Sequence, residues 1–296
     1  MPELPEITVY VEALARRVAG QPLEKARVRS VSLLRTWDPP LLAAEGRTVV
    51  GVRRLGKRIV LEFEGGIFLV LHLMLAGRLR WRARGVAIPR KGAHAAFDFP
   101  NGTLLLTEAG TKKRASLHLV RGEEGLAALD PGGVEPLEMS REEFAGALRR
   151  EIRTLKRALT NPKTFSGIGN AHSDEILLEA KLSPLQRTGQ LDEDEIERLF
   201  SAVRWSLAEW TERLRAEVGD GFPEKVTAFH PAMKVHGKYG KPCPNCGTQI
   251  QRIIHGEHET NYCPRCQTDG RLLRDRALSR LLREDWPKTI EELEGL

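Results

Sequence analysis

Cys243-Pro244-Asn245-Cys246 and Cys263-Pro264-Arg265-Cys266 hold all four cysteines of the chain, with sixteen residues between the pairs. A C-x-x-C turn aims two thiolates at one centre, and two such knuckles complete the four-thiolate tetrahedron that zinc prefers. No cysteine is left over. Disulfides are disfavoured in a reducing cytosol, and a redox C-x-x-C does not ordinarily come as a matched pair. One structural Zn2+ on Cys243, Cys246, Cys263 and Cys266 is therefore expected. The intervening residues 248–262, with Gly256 near the middle, read as two short strands and a turn. Such a β-hairpin ribbon presents its turn outward, which suits nucleic acid or pins a C-terminal region.

Upstream of the ribbon the pattern changes character. Over residues 3–121, short apolar runs such as Ile59-Val60-Leu61-Glu62-Phe63 and Phe68-Leu69-Val70-Leu71 alternate with turn signals at Gly65-Gly66, Gly92 and Asn101-Gly102. This predicts a β-rich domain. Residues 7–18 are the exception, with apolar positions at helical spacing that end before Gly20, so a helix should follow an extended terminus. Asp130-Pro131-Gly132-Gly133 then breaks the chain. Beyond it residues 141–159, 173–180, 192–218 and 272–282 carry helical periodicity. Expected boundaries are a β-rich domain over 1–130, a helical domain over 137–231, the zinc ribbon over 232–270 and a C-terminal helical extension over 271–296.

Composition sets outer limits. The 296 residues are 41% hydrophobic and 29% charged, which excludes wholesale disorder, a collagen-like repeat and a disulfide-stapled mini-protein. The most apolar stretch, 67–76, carries His72 and is far short of the ~20 residues of a membrane span, so it reads as a core strand and no membrane partner is expected. The opening Met1-Pro2-Glu3-Leu4-Pro5-Glu6 is acidic, with no apolar segment behind it, and a cytoplasmic protein is expected. The formal charge of +6 points weakly to an acidic partner, because 40 carboxylates accompany 46 basic side chains. Its distribution says more: Arg53-Arg54-Lys57-Arg58, Arg78-Arg80-Arg82-Arg84 and Lys112-Lys113-Arg114 all fall in the first half. Each cluster alone could be a solvated strand face.

Gly167-Ile168-Gly169-Asn170 stands before a helix opening near Ser173-Asp174-Glu175, with Lys156 and Lys163 upstream. A glycine turn feeding a helix N-terminus turns backbone N–H groups and a favourable dipole toward an anion such as a phosphodiester. By itself it is equally a capping turn between two helices.

Together these motifs resemble the formamidopyrimidine-DNA glycosylase and endonuclease VIII family, in a divergent form. The resemblance runs from the Pro2-Glu3-Leu4-Pro5-Glu6 terminus through Gly56-Lys57-Arg58, His72-Leu73, Gly77-Arg78-Leu79-Arg80, Lys91 with His94, Asn101-Gly102 and the 167–175 segment to the cysteine ribbon. It implies an α+β protein with an N-terminal β-sandwich-like domain, a helix-two-turns-helix DNA-binding domain and a C-terminal β-hairpin zinc ribbon. It also implies a bifunctional DNA glycosylase and AP lyase, a nucleoid-associated monomer whose partner is double-stranded DNA containing damaged bases or abasic sites. After loss of Met1, the secondary amine of Pro2 is the implied nucleophile; α-amino groups have pKa near ~8, so a useful fraction is neutral. Glu3 is the implied acid/base for the sugar ring oxygen and for the elimination protons, and Glu6 the supporting carboxylate. Lys57 matches the lysine that reaches the lesion and its flanking phosphate. His72, Lys156 and Asn170 match phosphate contacts, and His94 belongs to the DNA-facing set.

The sequence departs from the family at four places. The apolar wedge falls on Leu75 by strict alignment, with Met74 one place earlier. Residues 107–114 contain no aromatic where the family carries a void-filling arginine and phenylalanine, leaving Lys112, Lys113 or Arg114 to reach the orphaned base. The ribbon's phosphate-gripping arginine is replaced by His258, which implies a weaker or pH-dependent grip assisted by Arg252. Val218-Gly219-Asp220-Gly221-Phe222 is short where a longer lesion-covering loop is frequent. Two functions fit: a glycosylase/lyase acting on oxidised or ring-opened bases by β,δ-elimination, or a non-catalytic or lesion-shifted damage-binding protein on the same scaffold. Survival of Pro2, Glu3 and Lys57 favours the first.

Overall fold

The apolar runs of the first half form two antiparallel four-stranded sheets. A computed structural model describes residues 1–109, 112–256, 258–274 and 287–294, with the backbone alone at His258 and Glu294. One sheet has the order β2-β3-β4-β8, from β2 (Val49–Leu55), β3 (Arg58–Phe63), β4 (Ile67–His72) and β8 (Ser116–Arg121). The other has the order β1-β6-β7-β5, from β1 (Lys25–Val28), β5 (Gly77–Arg82), β6 (Ala93–Phe99) and β7 (Gly102–Glu108). The two-residue period of a strand sorts their side chains. Ile59, Leu61 and Leu71 of one sheet and Leu79, Phe97 and Leu106 of the other share a core with Ile7, Tyr10 and Leu14 of helix α1 (Leu4–Val18), which makes the domain a sandwich. Val60, Phe68 and Val70 face outward beneath Leu126 of α2 (Gly122–Ala127). Burial on both faces is why β3 and β4 read as nearly unbroken apolar runs. The 67–76 stretch thus supplies a core strand, and among the described residues no helix is long and apolar enough to cross a membrane.

Helix α1 opens at Leu4 rather than at residue 7. Pro5 is tolerated in a first turn, and Glu6 Oε2 accepts the backbone N–H of Glu3 at 2.7 Å. Pro2 and Glu3 are consequently buried at a helix N-terminus, not frayed.

The chain divides into two compact units, Met1–Pro131 with Trp210–Thr227, and Gly132–Glu209 with Ala228–Leu296. In the second unit the helix predicted over 141–159 is two helices, α3 (Arg141–Arg149) and α4 (Leu155–Thr160). Tertiary pairing overrides the local period: Arg153 N–H donates to Thr188 Oγ1, while its carbonyl accepts Thr188 N–H at 2.8 Å. Helix α5 (Asn170–Glu179) starts three residues earlier than expected, on the N-cap Gly169. Helix α6 (Glu193–Val218) follows; Asp192 Oδ1 accepts Glu195 N–H at 2.7 Å at its start. Strands β9 (Gln251–His255) and β10 (His258–Tyr262) pair around the Gly256 turn, and α7 (Pro264–Thr268) carries the second knuckle. A short helix, Ile290–Glu294, closes the described chain. The helix expected over 272–282 falls mainly on residues 275–282, which lie outside the described residues.

Candidate active site and nucleic-acid interface

The first turn of α1 holds the chain terminus. Glu3 is 2% and Glu6 1% exposed, and Pro2 is buried between them and Met1 in sequence. Burial pushes the amine of Met1 below its usual 8.0; Glu3 and Glu6 oppose that shift, while Arg78 and Lys57 reinforce it. The positive end of the α1 dipole acts in the same sense as the two cations. These surroundings favour the neutral form of an amine held at this end of the helix.

Lys57 owes its place to a two-residue hairpin. Leu55 pairs with Arg58, and Gly56 takes φ +60°, the left-handed conformation such a turn needs at its first position. His72 closes β4 with Arg58 on one side of it and Ser116 on the other. Burial, together with the charges of Arg58, Lys57 and His118, pushes His72 down to about 4, and burial beside Arg58 and Arg35 also lowers His118. A phosphate arriving at this cluster meets cations and a neutral imidazole.

The turn after β4 is tight. Met74 has φ +54°, and a Cβ at Gly77 would stand 2.2 Å from the Leu73 carbonyl oxygen, so only glycine fits there. This leaves Leu75 at the apex, 53% exposed, with Met74 half-buried. After β7, Glu108 anchors the basic loop: its Oε1 accepts Arg114 N–H at 2.9 Å and Ala115 N–H at 3.2 Å, and its carbonyl accepts Lys113 Nζ at 2.6 Å. Lys112 is exposed on the same loop. His94 sits at the β6 bulge with Nε2 buried and without a hydrogen-bond partner among the described residues.

In the second unit Lys156 does not project freely into solvent. Its Nζ donates to Asp174 Oδ1 and to the Asn170 carbonyl oxygen. Asn170 opens α5 and donates from Nδ2 to the Glu259 carbonyl at 2.8 Å. Arg252 lies over the Tyr239 ring at 4.2 Å and pairs with Glu259 at 3.3 Å. The side chain of His258 lies outside the described residues.

Sequence reasoning left Asp174 and Glu175 without roles. Asp174 Oδ2 lies 2.7 Å from His236 Nδ1 and accepts Asn261 N–H at 3.2 Å, while Glu175 accepts backbone N–H groups of Lys234, Val235 and His236 at 2.8–2.9 Å. These two buried carboxylates tie α5 to the strand and segment leading into the ribbon. Arg78, whose charge acts on the terminal amine, was visible in an alternating arginine run and in the Gly77-Arg78-Leu79-Arg80 motif, but without a role.

The four cysteine sulfurs lie within 4.8 Å of one another, with Cys243–Cys266 at 3.9 Å and Cys246–Cys263 at 3.4 Å. A zinc tetrahedron with bonds of ~2.3 Å has edges of about 3.8 Å, so the donor set fits the ion.

A β-sandwich with an amine and two carboxylates buried at its terminus, in one chain with a helical unit that carries a four-cysteine ribbon, defines a nucleic-acid-processing class of protein. Three family descriptions match in order: the formamidopyrimidine-DNA glycosylase N-terminal domain over residues 1–113, its H2TH domain over 133–215, and the zinc finger found in FPG and IleRS over 240–268. Formamidopyrimidine-DNA glycosylase of Solibacter usitatus is 32% identical over 271 residues, covering 90% of this chain and 99% of the relative. The Thermus thermophilus protein of that name is 32% identical over 290 residues, covering 91% and 100%. Lactococcus lactis Fpg bound to DNA containing an abasic site superposes with a TM-score of 0.79 at 26% identity, covering 90% of this chain and 99% of that one. The chain belongs to the formamidopyrimidine-DNA glycosylase family, and it carries one structural zinc site.

Proposed function

We propose that this DNA repair glycosylase removes oxidised or ring-opened bases through the secondary amine of Pro2, exposed by loss of Met1, and then cuts the strand at the resulting abasic site. The observation that carries the reading is the burial of Pro2, Glu3 and Glu6 in one helix turn, with Lys57 and Arg78 lowering the proton affinity of the adjoining amine.

The amine attacks C1′ as the bond to the damaged base breaks and the base leaves with a proton. The C1′–O4′ bond then opens, Glu3 supplying the proton to O4′, and the amine nitrogen is left doubly bonded to C1′. Loss of a C2′ proton expels the 3′-phosphate, a second proton loss expels the 5′-phosphate, and water returns the free amine. Glu3 is placed to relay these protons, while Glu6, accepting the Glu3 N–H, keeps the terminus in register. Lys57 and His72 hold the backbone beside the lesion, and Leu75 occupies the space left by the extruded nucleotide. Lys156, Asn170, Arg252 and His258 grip further phosphates. Zinc on the cysteines supplies rigidity to the ribbon. Double-stranded DNA carrying damage is the partner, and association with the nucleoid follows from it.

The reading is tested on duplexes carrying 8-oxoguanine, formamidopyrimidine, an oxidised pyrimidine or an abasic site. The expected product is a one-nucleotide gap with phosphate at both ends. Tight binding to such duplexes with no cleavage of any of them would support the damage-binding alternative instead.

A further inference from the structure

On the outer face of the β1-β6-β7-β5 sheet, a cavity of about 290 Å3 is lined by Arg80, Arg82, Lys91, Ala93, Leu105 and Thr107. Strand period explains the cationic rim: Leu79 and Trp81 of β5 turn into the core, so Arg78, Arg80 and Arg82 share the opposite face. Arg80 stands directly across from Leu105 of β7, and Arg78 from Thr107, whose Oγ1 donates to the Arg78 carbonyl at 3.2 Å. Arg82 is neutralised by Glu224. Arg80 and Lys91 make no ion pair among the described residues, and no carboxylate lines the cavity. The floor of Leu105 and Ala93 is apolar, so the cavity offers two cations without direct ion pairs, Arg80 sharing the field of Glu224, above a surface that suits the carbon face of a sugar.

The cavity continues the active site along one strand. Arg78, whose charge acts on the terminal amine, lies only two residues before Arg80, a step of ~7 Å along the same face. That step is comparable with the one between successive phosphates of a DNA strand. The cavity wall also includes Ala109, which leads into the basic loop of Lys112, Lys113 and Arg114.

We infer that this cavity is an additional DNA subsite, in which Arg80 and Lys91 hold one backbone phosphate and Leu105 carries its deoxyribose. The inference rests on the DNA-repair reading, since it takes the same duplex as its ligand. The subsite adds to the grip of Lys57 and His72 without touching the reacting sugar.

A methylphosphonate scan tests it, with a single neutral linkage walked along each strand of a duplex containing a tetrahydrofuran abasic analogue. Binding is measured for the parent, for Arg80→Gln/Lys91→Gln, and for Arg121→Gln as a charge control on an exposed strand end. One linkage is expected to weaken the parent and the Arg121 control by about threefold to tenfold and the double variant not at all. The double variant should also lose about one from the slope of log affinity against log salt. An unchanged slope, or a double variant sensitive at every linkage that the parent senses, would overturn the subsite. Borohydride trapping of the parent on an abasic duplex separates the two readings. A trapped adduct with a flat scan defeats the subsite alone, whereas no adduct with the coupled linkage present defeats the catalytic reading alone.

Discussion

Glu3 and Pro2 share one helix turn, so substitutions there can separate chemistry from folding. Glu3→Gln keeps the size and burial of the side chain but cannot relay protons. Single-turnover excision is expected to fall by about a hundredfold or more, with a stability loss near 1 kcal/mol from the weakened cap. His72 gives the opposite kind of prediction. It is held near 4 in the folded chain against 6.5 in the unfolded one, so below pH 6.5 the unfolded state takes up a proton that the folded state refuses. Stability should therefore fall as the pH drops from 6.5 to 4, by roughly 3 kcal/mol across the window. Urea unfolding of parent and His72→Gln at pH 7 and pH 4.5 checks this: the parent loses about 2 kcal/mol of that increment over this interval and the variant does not. Pro2, Glu3 and Lys57 could be read in the sequence because they occupy fixed positions in short motifs. Arg78 could not, because its importance depends on where β5 meets the terminus.

Helix α5 and the ribbon stand or fall together. Leu178 packs with Val235, Cys243, Ile250 and Cys263 in one apolar cluster, and Glu175 collects three backbone N–H groups from the segment between them. Stripping zinc with a chelator should release the knuckles and loosen this cluster. Circular dichroism and DNA affinity should both fall on treatment and recover on adding zinc back; unchanged DNA binding in the metal-free protein would contradict the structural role. Asp174→Asn leaves the Lys156 ammonium buried without a carboxylate and is expected to cost about 3–5 kcal/mol in thermal or urea unfolding. The cysteine spacing made the metal site legible because each knuckle is a local pattern. Asp174 was opaque for the converse reason: its partners Lys156, His236 and Asn261 lie 18, 62 and 87 residues away. The break at residues 150–154 was hidden likewise, being set by pairing with Thr188.

The chain's net charge of +6 describes the molecule poorly, since its cations act by placement. Lys57, Arg58 and His72 meet at one end of the sandwich because the β2–β3 hairpin and β4 bring them there. The sandwich itself was largely legible, because apolar runs and glycine turns mark strands wherever they pair. The grouping of 210–227 with the first unit was not. Helical period marks an apolar face on α6 but not its partner, and Leu214 and Val218 pack with Val9 and Val226. Phe222 completes that grouping, 6.0 Å from the Tyr10 ring and 6.3 Å from Trp81. The central claim is that the amine of Pro2 becomes bonded to C1′ of the damaged nucleotide. Borohydride reduction during turnover on an abasic-site duplex, followed by proteolysis and mass spectrometry, tests it most directly. The account predicts a deoxyribose-derived adduct on a terminal peptide that begins at Pro2 and lacks Met1. An adduct on a lysine, or no adduct while the strand is still cut, would contradict it.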